Sequence, residues 1–409
     1  FPRFHNPNKK EPLSMKENRM TVLNHSLIWF GAAISIAEIL TGTLLAPLGL
    51  KKALAAIILG HLIGGTLMYF AGLIGAKTER SAMETVKLTF GNKGGLLFSS
   101  LNVLQLVGWT AVMIFSGAAA AQSVMPLAQW IWCLAIAALI LLWVFIGIGI
   151  VTKINLVTMS ALLLLSLLMS KLVFFGGSVA TLPLGGMSFG SAVELAVAMP
   201  LSWLPLISDY TRRATHKPQS VTFVGVAVYG LTSCWMYAIG VGAALYTGKS
   251  DVAEIMSAAG FGIAAVLTVL ASTVTTTFLD VYSAGVSAAS LSKKLNEKPV
   301  AVAACLVGAL IAICTPIAKF ESFLYLISSV FAPMIAVQIV QSFILRRNSG
   351  DRSFDGLNLV VWAAGFGLYR VLLNQGFETV VGLTVPVMVA TAVLALVLGI
   401  VFPRTRSHR

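Results

Sequence analysis

Twelve apolar runs, each long enough to span a lipid bilayer, leave this sequence few folds to choose from. A transmembrane helix needs about 20 consecutive apolar residues. Runs of that kind fall near 22–48, 53–76, 96–122, 128–150, 154–176, 190–209, 219–247, 259–290, 299–317, 322–345, 357–374 and 380–402. Only 11% of the 409 residues are charged, against about 25% in a soluble domain. Such a chain is an all-α polytopic membrane protein of twelve spans. Short connectors at 124–128 and 151–153 make the spans they join antiparallel neighbours. The longer connector 78–95, with Lys87 and Lys93 among apolar positions, reads as a short interfacial helix on the cytoplasmic face. The stretch 176–190 is the external link between the fifth and sixth spans.

The net charge of +13 does not point to nucleic acid. With the N-terminus in the cytoplasm, 22 of the 28 Lys and Arg residues fall on that side. The remaining six are Lys51, Lys52, Lys171, Lys249, Lys319 and Arg370. This bias places both termini inside, so the surplus charge reports topology and contact with anionic lipid. The tail through Met20 is polar and lacks a signal-peptide pattern. Cys133, Cys234, Cys305 and Cys314 show no CxxC spacing and suggest neither a disulfide framework nor a metal site. No HExxH, nucleophile–base pair or phosphate-cradling glycine loop is present, so neither an enzyme nor a cofactor is expected.

The first span carries a carboxylate, Glu38, well away from either end, in the run AAISIAEILTGTLLAPLGL. An ionised group at mid-bilayer costs about 3 kcal/mol or more, so it faces a protein interior or a water-filled cavity and marks a substrate or ion path. Ser35, Thr41, Gly42, Thr43 and Pro47 weaken the helix around it. Glu38 either pins two helices as a hydrogen-bonded acid or meets a ligand. The sixth span repeats the oddity in AMPLSWLPLISDY, where Pro200 and Pro205 bracket Ser202 and Trp203. Two prolines five apart predict a break between them. Interrupted spans in corresponding positions of two halves point to a transporter binding site.

The eighth span contains ASTVTTTFLDVYSAG. Thr276 and Thr277 lie four and three residues before Asp280, on one helical face. Their hydroxyls suit a small cation, or they bond back to the preceding turn with no ion involved. Asp280 is a second carboxylate that needs a partner. In the third span, LNVLQLVGWTAV sets Asn102, Gln105 and Trp109 at helical spacing. An amide beside an aromatic plate suits a flat heterocycle, and Trp203 could supply the other plate. Either tryptophan could equally be core or interface packing. Asp209, followed by Arg212 and Arg213, suggests a structural ion pair or gate latch. Glu194 suits the N-terminal end of its own span, while His61 and Asn155 read as helix–helix contacts.

Taken together, GLIGAKTE at 72–79, QLVGW ending at Trp109, SDYTRR after the sixth span and TTTFLDVYSAG in the eighth resemble the nucleobase–cation symporter-1 family over nearly the full length. The hydroxymethylpyrimidine permease branch is the most similar. The resemblance implies a LeuT-type fold, with two inverted five-helix repeats over 21–176 and 177–346. Two peripheral helices follow over 347–403, with cytoplasmic tails at 1–20 and 404–409. It also implies a sodium site built from first-span carbonyls near Phe30 to Ala33, the Ser272 carbonyl, and the hydroxyls of Thr275 and Thr276. A planar ring would lie between Trp109 and Trp203. Cytosine permeases have asparagines where this chain has Thr277 and Leu279, and their glutamine lies three residues before the tryptophan, not four. The expectation is a bacterial inner-membrane sodium symporter for an aminopyrimidine, hydroxymethylpyrimidine first. Substrate contacts would come from Glu38, Gln105, Trp109, Ser202, Trp203, Thr277 and Asp280. The alternatives are a proton-coupled cytosine or purine permease and an uncoupled channel or binding protein.

Overall fold

A computed structural model describes residues 21–123, 125–146, 185–214, 217–248, 263–292, 294–315 and 320–402, with scattered positions within 160–174. Most of the expected fifth span, including Asn155, lies outside the described residues, as do both tails.

Every regular element among the described residues is helical. The first span is two helices, α1 (Val22–Ala33) and α2 (Ile36–Leu44), bent by 49° across a two-residue break. A 3-10 turn at Ala46–Leu48 leads into α3 (Leu50–Thr78). Then come α4 (Ala82–Phe90), α5 (Gly94–Gln122) and α6 (Gln129–Ile146). The sixth span is α7 (Phe189–Ser202) and α8 (Ile207–Thr211), followed by α9 (Pro218–Thr247) and α10 (Ile263–Leu291). The chain closes with α11 (Glu297–Cys314), α12 (Phe320–Ile339) continuing into a π-turn at Val340–Ile344, α13 (Gly356–Asn374) and α14 (Thr384–Val401). Nine helices among the described residues are long and apolar enough to cross a membrane, or ten with the bent first span.

The sixth span opens between its prolines, as they predict. The helix runs through Pro200 to Ser202 and gives way to turns over 203–206. Pro205 lacks the N–H that a continuing helix would send back to Leu201, and Leu204 N–H takes that carbonyl instead, at 3.0 Å.

Helices α5 and α10 pack along each other, as do α3 and α7, while α9 lies against α1, α2 and α3. Where α2 crosses α9 the backbones nearly touch. A Cβ on Gly42 would collide with the Tyr237 carbonyl, and one on Gly240 with the Ile39 carbonyl. Small residues permit such approach in membrane bundles.

Two side roles differ from expectation. Helix α4 is no open surface helix: Met83, Val86, Leu88 and Phe90 are buried against the bundle. Its N-terminus is capped by Asp209, whose Oδ1 accepts the Ala82 N–H at 2.9 Å. Asp209 makes no ion pair among the described residues; Arg212 Nε donates to its carbonyl. Glu194 serves another helix than its own. It accepts from Tyr369 Oη at 2.6 Å, from Leu383 and Thr384 N–H at 2.7 Å, and from the Thr384 hydroxyl. It thereby caps α14.

Candidate functional site

Both breaks free backbone oxygens, and polar side chains from neighbouring helices take them up. At the first, Ile34 N–H closes on the Phe30 carbonyl and Ser35 N–H on the Ala33 carbonyl, each at 3.0 Å. The Ser272 hydroxyl of α10 donates to the Ile34 carbonyl, and the Thr276 hydroxyl lies 3.4 Å from the Gly31 carbonyl. Ser35 then starts α2, its hydroxyl accepting the Glu38 N–H at 3.4 Å. Glu38 therefore stands in the first turn of α2, where the helix end favours negative charge.

At the second break, Leu206 and Ile207 N–H both turn back to the Trp203 carbonyl, at 3.1 and 2.8 Å. That leaves the Ser202 carbonyl to Gln105 Nε2 and the Pro205 carbonyl to Asn102 Nδ2, each at 3.1 Å. Asn102 also donates to Ser287 at 2.8 Å and accepts from Gln105 at 3.1 Å. The amide pair on α5 thus holds the break open. Gln105 Oε1 is buried with no hydrogen-bond partner among the described residues.

Between the breaks lies a narrow cavity. Its walls carry Glu38, Trp109, Ser202, Trp203, Thr276 and Asp280, together with Ala32, Ser35, Ala37, Met113, Met199 and Leu206. Trp109 packs edge-on against Phe320 and Phe323, with centroids 5.8 and 5.4 Å away, and its Nε1–H has no partner among the described residues. Trp203 is held edge-on by Trp29 at 5.3 Å and Tyr229 at 6.2 Å. Both indoles are thus fixed in orientation by other rings.

The two carboxyls differ in kind. Glu38 is fully buried, with Tyr229 Oη 2.8 Å from Oε1, Ser233 Oγ 2.8 Å from Oε2, and His61 Nε2 2.6 Å beyond Ser233. Asp280 is 5% exposed, and no described residue hydrogen-bonds to its carboxyl. A buried acid lining a cavity without a partner among the described residues is the arrangement expected where a ligand or ion supplies one.

Two expected contacts sit elsewhere. Gln105 is one turn from Trp109 but outside the cavity wall, and Thr277 donates to the Thr273 carbonyl at 2.6 Å. Thr275 likewise donates to the Ser272 carbonyl, at 2.9 Å. Tyr229 and Ser233 carry no signal in the sequence. They lie 191 and 195 residues from Glu38, and no local pattern pairs them with it.

A family model described as a permease for cytosine/purines, uracil, thiamine and allantoin matches residues 12–353. The chain belongs to this nucleobase–cation symporter family. It is a multi-pass transporter, not an enzyme. Cytosine permease of Escherichia coli O157:H7 is 25% identical to this symporter over 352 residues, covering 85% of this chain and 83% of that one. Among solved structures, Mhp1, a nucleobase-cation-symport-1 family transporter in a closed conformation with bromovinylhydantoin bound, superposes with a TM-score of 0.78. The identity there is 19%, with 96% of each chain covered. A Na+-coupled sialic acid symporter gives 0.73 at 14% identity, covering 97% of this chain and 92% of that one. These likenesses establish the LeuT-type fold of the symporter.

Proposed function

We propose that this symporter imports an aminopyrimidine, hydroxymethylpyrimidine first, together with sodium. The observation that carries this reading is one cavity between two helix breaks, walled by two braced indoles and two carboxyls. Indoles offer flat apolar faces to a planar ring, and carboxylates accept from an exocyclic amine. Sodium is supported by the meeting of the last turn of α1 with α10. There the Gly31 and Ile34 carbonyls face the hydroxyls of Thr276 and Ser272, the kind of unwound helix end that serves cations in this fold class. The carbonyls of Phe30 and Ala33 and the Thr275 hydroxyl adjoin that place. The protein sits in the bacterial inner membrane with both termini cytoplasmic. Its core is two five-helix repeats, over 21–176 and 177–346, with peripheral helices over 347–403.

A melting-shift screen of pyrimidines, purines and hydantoins on purified protein, with and without sodium, tests this. At 100 times its Kd a ligand adds about 2.7 kcal/mol of stability. Aminopyrimidines should give the largest shift, and sodium should enlarge it. A response to hydantoins or purines alone overturns the assignment.

Proton-coupled transport of cytosine is the second reading, favoured by the cytosine permease similarity over 85% of the chain. Uptake would then track pH and persist when choline replaces sodium.

A further inference from the structure

We infer that His61, acting through Ser233, keeps Glu38 a pure hydrogen-bond acceptor toward the cavity, so that this edge of the site selects ligands that bring an N–H. The ligand side of this rests on the aminopyrimidine assignment above; the relay itself rests on contacts within the protein.

Donor accounting fixes the protons. His61 Nδ1 lies 2.9 Å from the Ile57 carbonyl, which can only accept, so Nδ1 carries a hydrogen. Nε2 lies 2.6 Å from Ser233 Oγ, which lies 2.8 Å from Glu38 Oε2. Serine has one proton to give. Either it goes to Glu38, and Nε2 must then be protonated, or it goes to Nε2, and Glu38 must then donate its acid proton to Ser233. The first arrangement is imidazolium with carboxylate; the second is neutral imidazole with carboxylic acid. Both carry no net charge and satisfy every contact. They interconvert when one proton passes from Oε2 to Oγ as another passes from Oγ to Nε2. Neutral His61 beside ionised Glu38 leaves one short contact without a proton. Charged His61 beside protonated Glu38 buries an isolated cation, which is expensive at membrane depth.

In both satisfied arrangements the acid proton is either absent or consumed by Ser233. Tyr229 donates to Oε1, so what remains for the cavity is lone pairs. Glu38 therefore accepts from an exocyclic amine or a ring N–H, and repels a ring edge that offers only acceptors. The other titratable groups around the relay are few. Tyr237 stacks edge-on to His61 at 4.9 Å and donates to the Leu195 carbonyl. Cys234 neighbours Ser233 on α9, Tyr229 holds Oε1, and Asp280 faces the same cavity from α10.

His61 is thus a positioning residue, and its role is separable from simple packing. Melting shifts would be read for the 4-amino and 4-methoxy forms of one hydroxymethylpyrimidine on the purified full chain. The wild type should prefer the amine by about tenfold or more, as a site that rejects unpaired polar edges does. In His61→Leu the Ser233 proton has only Glu38 Oε2 left to go to, and in Ser233→Ala the acid proton has no hydroxyl to meet, so in both the acid proton turns to the cavity, and the preference should fall below about threefold. Ser233→Thr keeps the hydroxyl and should keep the preference, and the double variant should lose no more than either single one, because the two act as one unit. Preference retained in both His61→Leu and Ser233→Ala overturns the inference. A ligand-free reading separates the two levels: the infrared carboxyl band assigned by its loss in Glu38→Gln should shift in both variants. An unmoved band refutes the relay. A shifted band with a wild type indifferent to both pyrimidines refutes the aminopyrimidine assignment and retains the relay.

Discussion

Tyr229 donates its hydroxyl to Glu38 Oε1 across 2.8 Å, tying the middle of α9 to the first turn of α2 just beyond the break in the first span. The bond is possible because Gly42 and Gly240 let the two helices approach to backbone contact. The carboxyl of this cavity-lining residue is therefore aimed by the seventh span rather than by its own helix alone.

Tyr229→Phe leaves Oε1 of a fully buried carboxyl short of its donor. A loss of about 1–3 kcal/mol of stability is expected, read as a lower melting temperature in detergent. In a Glu38→Gln background the same change should cost less to the extent that Glu38 is the carboxylate of the imidazolium–carboxylate arrangement, because the amide oxygen carries no charge for the hydroxyl to meet. Equal losses in both backgrounds would show that Tyr229 acts by packing instead.

Asp280→Asn should behave in the opposite way. No described residue hydrogen-bonds to this carboxyl, so the unliganded protein should melt at the wild-type temperature or above it. Affinity for whichever partner it meets, pyrimidine or sodium, should fall by about tenfold to a hundredfold, the worth of a hydrogen bond to a charged group. Titrating each ligand separately by melting shift assigns the partner.

Asn102→Ala removes the donor to the Pro205 carbonyl and to Ser287, and an acceptor for Gln105. The variant should lose about 1–3 kcal/mol and weaken ligand binding although Asn102 is not on the cavity wall, since it holds the break that places Trp203. A structure of the variant with turns over 203–206 unchanged would contradict this.

Much of the site was legible because bilayer chemistry makes exceptions conspicuous. Glu38 and Asp280 stand out as acids inside apolar runs, Pro200 and Pro205 mark a break, and the spacing of Thr276 and Asp280 puts both on one face, which is the cavity face. Helical spacing says less about which neighbour a face meets. Gln105 shares a stripe with Trp109, yet its amide is spent on the Ser202 carbonyl, and Thr277 satisfies itself on its own helix. Pairings across 172 to 195 residues, such as those joining His61, Ser233 and Glu38, leave no local trace in a single sequence.

Outside the spans, Glu84 on α4 offers a pH test. Its carboxyl meets Lys87 Nζ at 2.6 Å and the Ser290 hydroxyl at 2.7 Å, while Lys87 donates to the Ser290 carbonyl. Partial burial opposes ionisation, but the bonds from Lys87 and Ser290 and the charges of Lys87 and Arg80 outweigh it and hold the carboxyl below its ordinary range. A lowered folded-state pKa means stability that is fully present above the ordinary carboxylate value and lost as pH falls through the folded one. Wild type should exceed Glu84→Gln in melting temperature at neutral pH by a small margin, given the exposure of the pair. The two should converge in acid. A gap that persists there would contradict the linkage.

Transport itself decides the central claim. Radiolabelled hydroxymethylpyrimidine would be offered to liposomes holding the purified symporter under an inward sodium gradient, with choline as the control cation. Accumulation above equilibrium that collapses with choline and in Glu38→Gln is the predicted result. Uptake that stops at equilibrium, or that is indifferent to both sodium and Glu38, would contradict a coupled aminopyrimidine importer built around this cavity.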